Sequence, residues 1–268
     1  MTKPRPTPWG LIVGSSSGFG AATSLELARA GLNIFGVHFD RRSTMPQVEQ
    51  VISSIEATGR DVLFFNTNAA DPAKRAEVLN QMQECWNKKG GCNFIKVFLH
   101  SLAFGSLKAY LADSPDDELT QTQMDMTVDV MGNNLVYWAQ ELFRRKMLGP
   151  GSRIFAMTSA GGHSVIPKYG AVSAAKAILE SHIRQLAYEL MPHGITANAI
   201  QAGVTITPGS SKIPGIDKLA EFARMRNPGG RLTTPQDVAS AIVALADDRT
   251  YWMTGNVIRV DGGEDIVT

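Results

Sequence analysis

Ser159, Tyr169 and Lys176 bring a hydroxyl, a phenol and an ammonium into one short stretch, Ser159-Ala-Gly-Gly-His-Ser-Val-Ile-Pro-Lys-Tyr169-Gly-Ala-Val-Ser-Ala-Ala-Lys176. Seven positions separate the tyrosine from the lysine. That is close to two helical turns, so both can face the same side. An ammonium beside a phenol favours the phenolate, and a serine hydroxyl can hold a substrate oxygen next to it. The combination suits proton delivery to an oxyanion. Taken alone, the stretch reads equally well as an amphipathic helix with a surface lysine and a packing tyrosine. Tyr110 and Tyr137 are other phenols, but neither has a lysine spaced to share its face. His100 invites acid–base chemistry, yet a histidine at a buried strand end often just bonds backbone, and we read it as structural.

The elements around this stretch must place it. The apolar run 153–158 reads as a buried strand ending at Ser159, and 171–190 as an alanine-rich helix. At the start of the chain a strand over 9–13 runs into Gly14-Ser-Ser-Ser-Gly18-Phe-Gly20, and a helix over 21–30 closes at Gly31. Strand, glycine turn and helix in that order are what a dinucleotide pyrophosphate requires. The spacing is G-x-x-x-G-x-G, and its bland alternative is a tight turn with no ligand. A second strand, 33–39, ends in Asp40-Arg41-Arg42. An acidic side chain there suits a ribose hydroxyl, whereas arginine suits a 2′-phosphate.

Further along, a helix over 46–58 precedes a strand over 61–66, after which Asn68 lies in reach of an adenine edge. Asp71 before Pro72 has the form of an N-cap. The strand 94–99 delivers His100-Ser101-Leu102 to the sheet end where ligands bind. Within the polar segment 111–126, the acidic run 113–118 resembles a helix start, and a long helix follows over 127–146. A strand over 195–200 is followed by a glycine- and proline-rich segment, 209–230, read as a substrate lid with a short helix over 216–225. A capped helix near 234–246 and a strand over 257–260 complete the chain before Asp261-Gly-Gly263. The alternation predicts a single α/β domain over 1–268, a doubly wound parallel sheet with helices on both faces. Residues 1–8 read as a loose arm.

Composition narrows the function classes. The 26 basic and 25 acidic residues leave a formal charge of +1, which gives no reason to expect a nucleic-acid partner. Cys85 and Cys92 have no second pair and no histidine cluster near them, so they read as reduced thiols of a cytoplasmic protein, with no metal site. No apolar run approaches the ~18 residues of a membrane span, and the start lacks a signal-peptide core.

In order and spacing these pieces resemble the short-chain dehydrogenase/reductase family over nearly the whole chain. The resemblance rests on Gly14, Gly18 and Gly20, Ser159, Tyr169, Lys176, the Asn198 segment and Val260-Asp-Gly-Gly263. Most members place tyrosine four residues before lysine, where this chain has Val172. The Tyr-x6-Lys spacing, with His100-Ser101-Leu102, is similar to bacterial enoyl-acyl-carrier-protein reductases. The ordinary members' helix asparagine falls near Met131, so their proton relay is not expected. Many enoyl reductases carry a tyrosine where Ser159 stands and a longer-spaced glycine loop. This chain resembles the subtype that keeps the ordinary glycine spacing and the serine.

The resemblance implies NAD(P)H-dependent reduction of a trans-2-enoyl thioester, with Tyr169 and Ser159 at the substrate oxygen and Lys176 on the nicotinamide ribose. It implies a cofactor held at the turn by Gly14, Ser16, Gly18, Phe19 and Gly20. Arg41, Arg42, Asn68 and Ala69 would face the adenosine, and Leu102, Lys176, Thr205 and Thr207 the nicotinamide. Arg41 and Arg42 outweigh Asp40, so NADP(H) is expected ahead of NAD(H). Phe104, Ile206, Ile213 and Phe222 are expected to line an acyl pocket. Lys212, Lys218, Arg224 and Arg226 form a basic rim suited to an acidic acyl carrier protein. The helices 127–146 and 171–190 are expected to pack in a homotetramer. Two alternatives remain: a carbonyl, 3-oxoacyl or hydroxysteroid-type reductase of the same family, and a non-catalytic nucleotide sensor.

Overall fold

Trp9, Leu11, Ile12 and Val13 are all fully buried, as expected for a strand covered on both faces. The seven strands are β1 (Thr7–Val13), β2 (Asn33–His38), β3 (Val62–Asn66), β4 (Asn93–His100), β5 (Arg153–Ser159), β6 (Thr196–Ala202) and β7 (Val257–Val260). The computed structural model describes residues 7–267, and in it every pairing is parallel, in the order β3-β2-β1-β4-β5-β6-β7. β1 pairs with β2 on one side and β4 on the other, so the chain reverses its direction of winding there. Such a reversal opens a crevice at the carboxyl ends of the strands.

Alternate residues feed two cores. Trp9, Leu11 and Val13 join Phe98 under α3 (Pro72–Lys89) and α6 (Gly170–Leu190) through Leu79 and Ile183. Ile12, Val97 and Leu99 join Leu27 of α1 (Gly18–Arg29), Ile55 of α2 (Met45–Glu56) and Ile242 of α8 (Pro235–Leu245) on the other face. A side-chain period of two therefore supplies both layers at once.

Two sequence expectations shift. The helix expected over 127–146 begins earlier, as α4 (Gln121–Val128), passes through a π-helical turn (Asp129–Asn133) and ends as α5 (Asn134–Arg144). Its true start is a capping box between Thr120 and Gln123. The acidic run forms only a short 3₁₀ turn, Pro115–Asp117, capped by Ser114. The second shift is at the amino-terminal arm, where Thr7 and Pro8 belong to β1 and the Thr7 N–H donates to the Cys92 carbonyl at 2.7 Å. The rest of that arm, residues 1–6, lies outside the described residues.

Asp71 caps α3 as its spacing before Pro72 predicts, accepting from the N–H groups of Ala73 at 2.8 Å and Lys74 at 3.0 Å. Asp71→Ala should cost about 1 kcal/mol and lower the urea midpoint without changing the slope. An unchanged midpoint would show that the cap contributes nothing.

Candidate active site

The turn after β1 is pinned to its neighbour, because the Gly14 and Ser15 N–H groups both donate to the Val37 carbonyl, at 2.8 and 3.1 Å. Gly14 has φ +98°, and a side chain there would meet the Ser101 carbonyl oxygen at 2.3 Å. Gly20 packs so tightly on Gly14 that a Cβ would lie 1.9 Å from the Gly14 oxygen. Ser17, at the N-cap of α1, makes no capping hydrogen bond with its side chain. The first turn of α1 thus presents N–H groups and the positive end of its dipole without a side-chain acceptor, which fits a pyrophosphate. Thr207, from the loop after β6, packs over this turn 3.3 Å from where a Gly18 Cβ would stand.

At the adenosine side, Asp40 is the held residue. It accepts from the Thr44 hydroxyl at 2.8 Å and pairs with the His38 ring at 3.0 Å. Burial raises its carboxyl, but hydrogen bonds from Ser16, Thr44 and His38 outweigh that and leave it below the usual range. Ser16 therefore meets Asp40, while Arg41 and Arg42 are exposed on the next turn. Asn68 is exposed and accepts from the Ala70 N–H at 3.0 Å. The neighbouring Ala69 carbonyl accepts from Asn134 at 3.0 Å and Trp138 at 3.1 Å, so α5 holds this loop.

The predicted triad does converge. The Tyr169 hydroxyl lies 3.4 Å from Ser159 Oγ. Lys168, just before it, takes a left-handed φ of +62°. Gly161 leaves room for the ring, since a Cβ there would lie 2.6 Å from it. Lys176 is 5% exposed, and its Nζ donates to the Met157 carbonyl at 2.6 Å. Burial pushes its ammonium down to about 8, opposed by Glu180, whose carboxylate accepts from Thr158 at 2.6 Å.

One expectation is reversed here. Lys176 is bonded to the strand, and no pull from it on the phenol is found. Burial instead pushes the Tyr169 phenol above its ordinary value, with Ser159 only partly offsetting this. Tyr169 is consequently a protonated donor at neutral pH, not an incipient phenolate. His100 is buried beside Lys176, and burial followed by that ammonium lowers its ring to about 3. Its Nε2 is buried without a hydrogen-bond partner, so the backbone bond expected of it is not made at that nitrogen.

Tyr169, Ser159 and Lys176 open on a cavity of about 300 Å³. Phe19, Leu102, Thr205 and Thr207 line it, as do Phe104 and Ile213. Ile206 and Phe222 do not line it; they are 52% and 51% exposed, and Phe222 lies under the Arg226 guanidinium instead. Their places go to Leu107, Met131, Ile166, Val172, Ile216 and Leu219, none of which was expected in the lining from the sequence. Helical spacing on α7 (Ile216–Arg226) could have shown that Ile216 and Leu219 share a face. Glu264 was missed as well. Its only signal was an acidic residue directly after Gly263. No group of three or more potential metal ligands occurs among the described residues, and no helix there is long and apolar enough to cross a membrane.

The family model described as enoyl-(acyl carrier protein) reductase matches residues 13–264. A short-chain dehydrogenase/reductase of Pestalotiopsis microspora is 26% identical over 264 residues, covering 94% of this chain and 93% of that protein. The NADH-dependent enoyl-[acyl-carrier-protein] reductase of Escherichia coli K12 is 28% identical over 216 residues, 78% of this chain and 76% of that one. The crystal structure of an NADH enoyl-[acyl-carrier-protein] reductase from Aquifex aeolicus shares the fold with a TM-score of 0.83 at 24% identity, covering 97% of each chain.

Lys176 generates a pH test with two opposite signs. Its ammonium is lost as pH rises through about 8, so any cofactor binding that uses it should weaken there. Unfolded, the lysine keeps its proton to its ordinary 10.5, so the unfolded state binds more protons between the two values and stability should rise. Lys176→Arg, charged throughout, should abolish both trends. Cofactor titrations and urea melts across this range check it; parallel trends would remove Lys176 as their source.

Proposed function

This chain belongs to the short-chain dehydrogenase/reductase family, and from that premise we propose that it reduces the trans-2 double bond of an enoyl thioester. The observation that carries the reading is the Tyr169 hydroxyl, 3.4 Å from Ser159 Oγ, facing a cavity whose wall includes Leu107, Met131, Ile166 and Val172. A reduced nicotinamide, when bound, supplies hydride to the substrate carbon. The residues of this chain manage the charge that follows. Tyr169 donates its O–H to the thioester oxygen as negative charge develops there, with Ser159 as its partner. Preset donors of this kind are commonly the largest catalytic contribution. Lys176 spends one of its three N–H donors on the Met157 carbonyl and keeps two for the ribose hydroxyls.

Met131 is 3% exposed and lines the cavity where ordinary members are expected to carry the relay asparagine, which disfavours a carbonyl reductase. On the adenosine side, two exposed guanidinium groups stand against one held carboxylate, so we assign NADPH as the preferred cofactor with NADH as a second. Lys212, Lys218 and Arg224 are exposed at the lid and suit an acidic acyl carrier protein, whereas Arg226 is half-buried over Phe222. Tyr137 and Phe143 on α5 and Tyr188 on α6, exposed by 37%, 37% and 80%, favour the homotetramer.

Steady-state assay with crotonyl and 3-oxoacyl thioesters tests the reading directly. Enoyl turnover supports it, 3-oxoacyl turnover favours the carbonyl reductase, and bound cofactor without turnover favours the nucleotide sensor. Tyr169→Phe should lower turnover about a hundredfold while leaving cofactor affinity unchanged; near-normal turnover in a folded variant would take the phenol out of the chemistry. Replacing Arg41 and Arg42 together by alanine should raise the KM for NADPH far more than that for NADH. Equal effects on both would overturn the cofactor assignment.

A further inference from the structure

The loop from Val204 to Thr207 leaves the end of β6 and lines the cavity at Val204, Thr205 and Thr207. Its first N–H, that of Val204, donates to both oxygens of Glu264, each at 3.1 Å. Glu264 is 3% exposed and lines the same cavity. Space for it is made by Gly203, where a Cβ would lie 2.9 Å from a Glu264 oxygen and 2.5 Å from Thr233 Oγ1. Asp261 shapes the turn that carries Glu264 by accepting from the N–H groups of Gly263 at 2.9 Å and Asp265 at 3.1 Å.

The adjacent carboxylate meets the loop after Ser159. Asp265 accepts from Gln201 at 2.9 Å and pairs with His163 and Arg259, each at 3.1 Å. His163 belongs to the loop that follows Ser159. A carboxylate is a costly way to fill buried space, and burial does push the Glu264 carboxyl up. An aliphatic side chain would pack at lower cost. What it could not do is accept the Val204 N–H, and a buried donor left without a partner is expensive.

We propose that Glu264 is a positioning residue for the loop Val204–Thr207, and that Asp265 does the same through His163 for the loop after Ser159. The carboxyl-terminal turn thereby sets both walls of the site. The assignment rests on the reading that Thr205 and Thr207 face the nicotinamide half of the cofactor.

The test compares Glu264→Leu, which orphans the N–H, with Glu264→Gln, which keeps an acceptor. NADPH and NADH affinities are measured by fluorescence titration without substrate, alongside hydrogen exchange at the Val204 amide. The leucine variant should bind both cofactors about tenfold more weakly and exchange faster at Val204, with the glutamine variant within about twofold of wild type. Wild-type binding by the leucine variant, or equal weakening by both, overturns the assignment. His163→Ala removes a side chain that is 47% exposed, so folding is not at stake if the leucine variant fails. It should raise the thioester KM with cofactor affinity intact; an unchanged KM overturns the second half. Wild-type protein that binds NADPH but reduces no enoyl thioester would sink the enoyl reading while leaving the Glu264 comparison decisive.

Discussion

The buried ammonium of Lys176, donating to the Met157 carbonyl, governs where α6 can lie against the sheet. A charge out of water is tolerated only with partners, and this one draws on the strand carbonyl and on Glu180 one turn further along the helix. Glu180 is in turn held by Thr158, and Ser159 meets Tyr169. Three consecutive residues of β5 therefore each engage α6 or the residue that opens it. Rotating or sliding the helix would break all three contacts together. The phenol and the hydroxyl meet at the strand end because the lysine has already set the register.

The second half of the site is built by close approach of backbone. The glycine turn after β1 can press against Ser101 and lie under Thr207 because it has no side chains at Gly14 and Gly18. Strand β1 lies between β2 and β4 at the winding reversal, so this turn touches loops from both sides of it. The glycine turn and the wall of the cavity are consequently one structure. Asp40, held by Ser16 and Thr44, ties the same turn to the end of β2.

Features set by local spacing were legible in the sequence. The glycine turn, the Asp71 cap and the shared face of Tyr169 and Lys176 all follow from periods of a few residues. The α/β class follows from alternation of strands and helices, whereas the order of the strands is seen only in the structure. What escaped depends on neighbours distant in the chain. The direction of the Tyr169 shift is set by how deeply the ring is buried under Gly161 and Ile166, which spacing does not encode. Ile206 and Phe222 are apolar residues in the right segment but on the outward side of it. Helix α4 starts where Thr120 and Gln123 complete a capping box, while the more conspicuous acidic run before it yields only a short turn. Glu264 reaches Val204 across sixty positions, and only the pairing of β6 with β7 brings them together.

That last contact bears on how the protein comes into being. Chains emerge from the ribosome amino terminus first, and domains fold as their parts become available. Strands β1 to β5 and the glycine turn can assemble while synthesis continues, and a growing chain can hold a nearly complete sheet. The two carboxylates that fasten the loops of the site come after all seven strands in the chain. A nascent chain stalled before Asp261 would carry the phenol, the lysine and the phosphate cradle without the turn that fastens the cavity walls. Completion of the site thus waits on a short turn that follows the last strand in chain order.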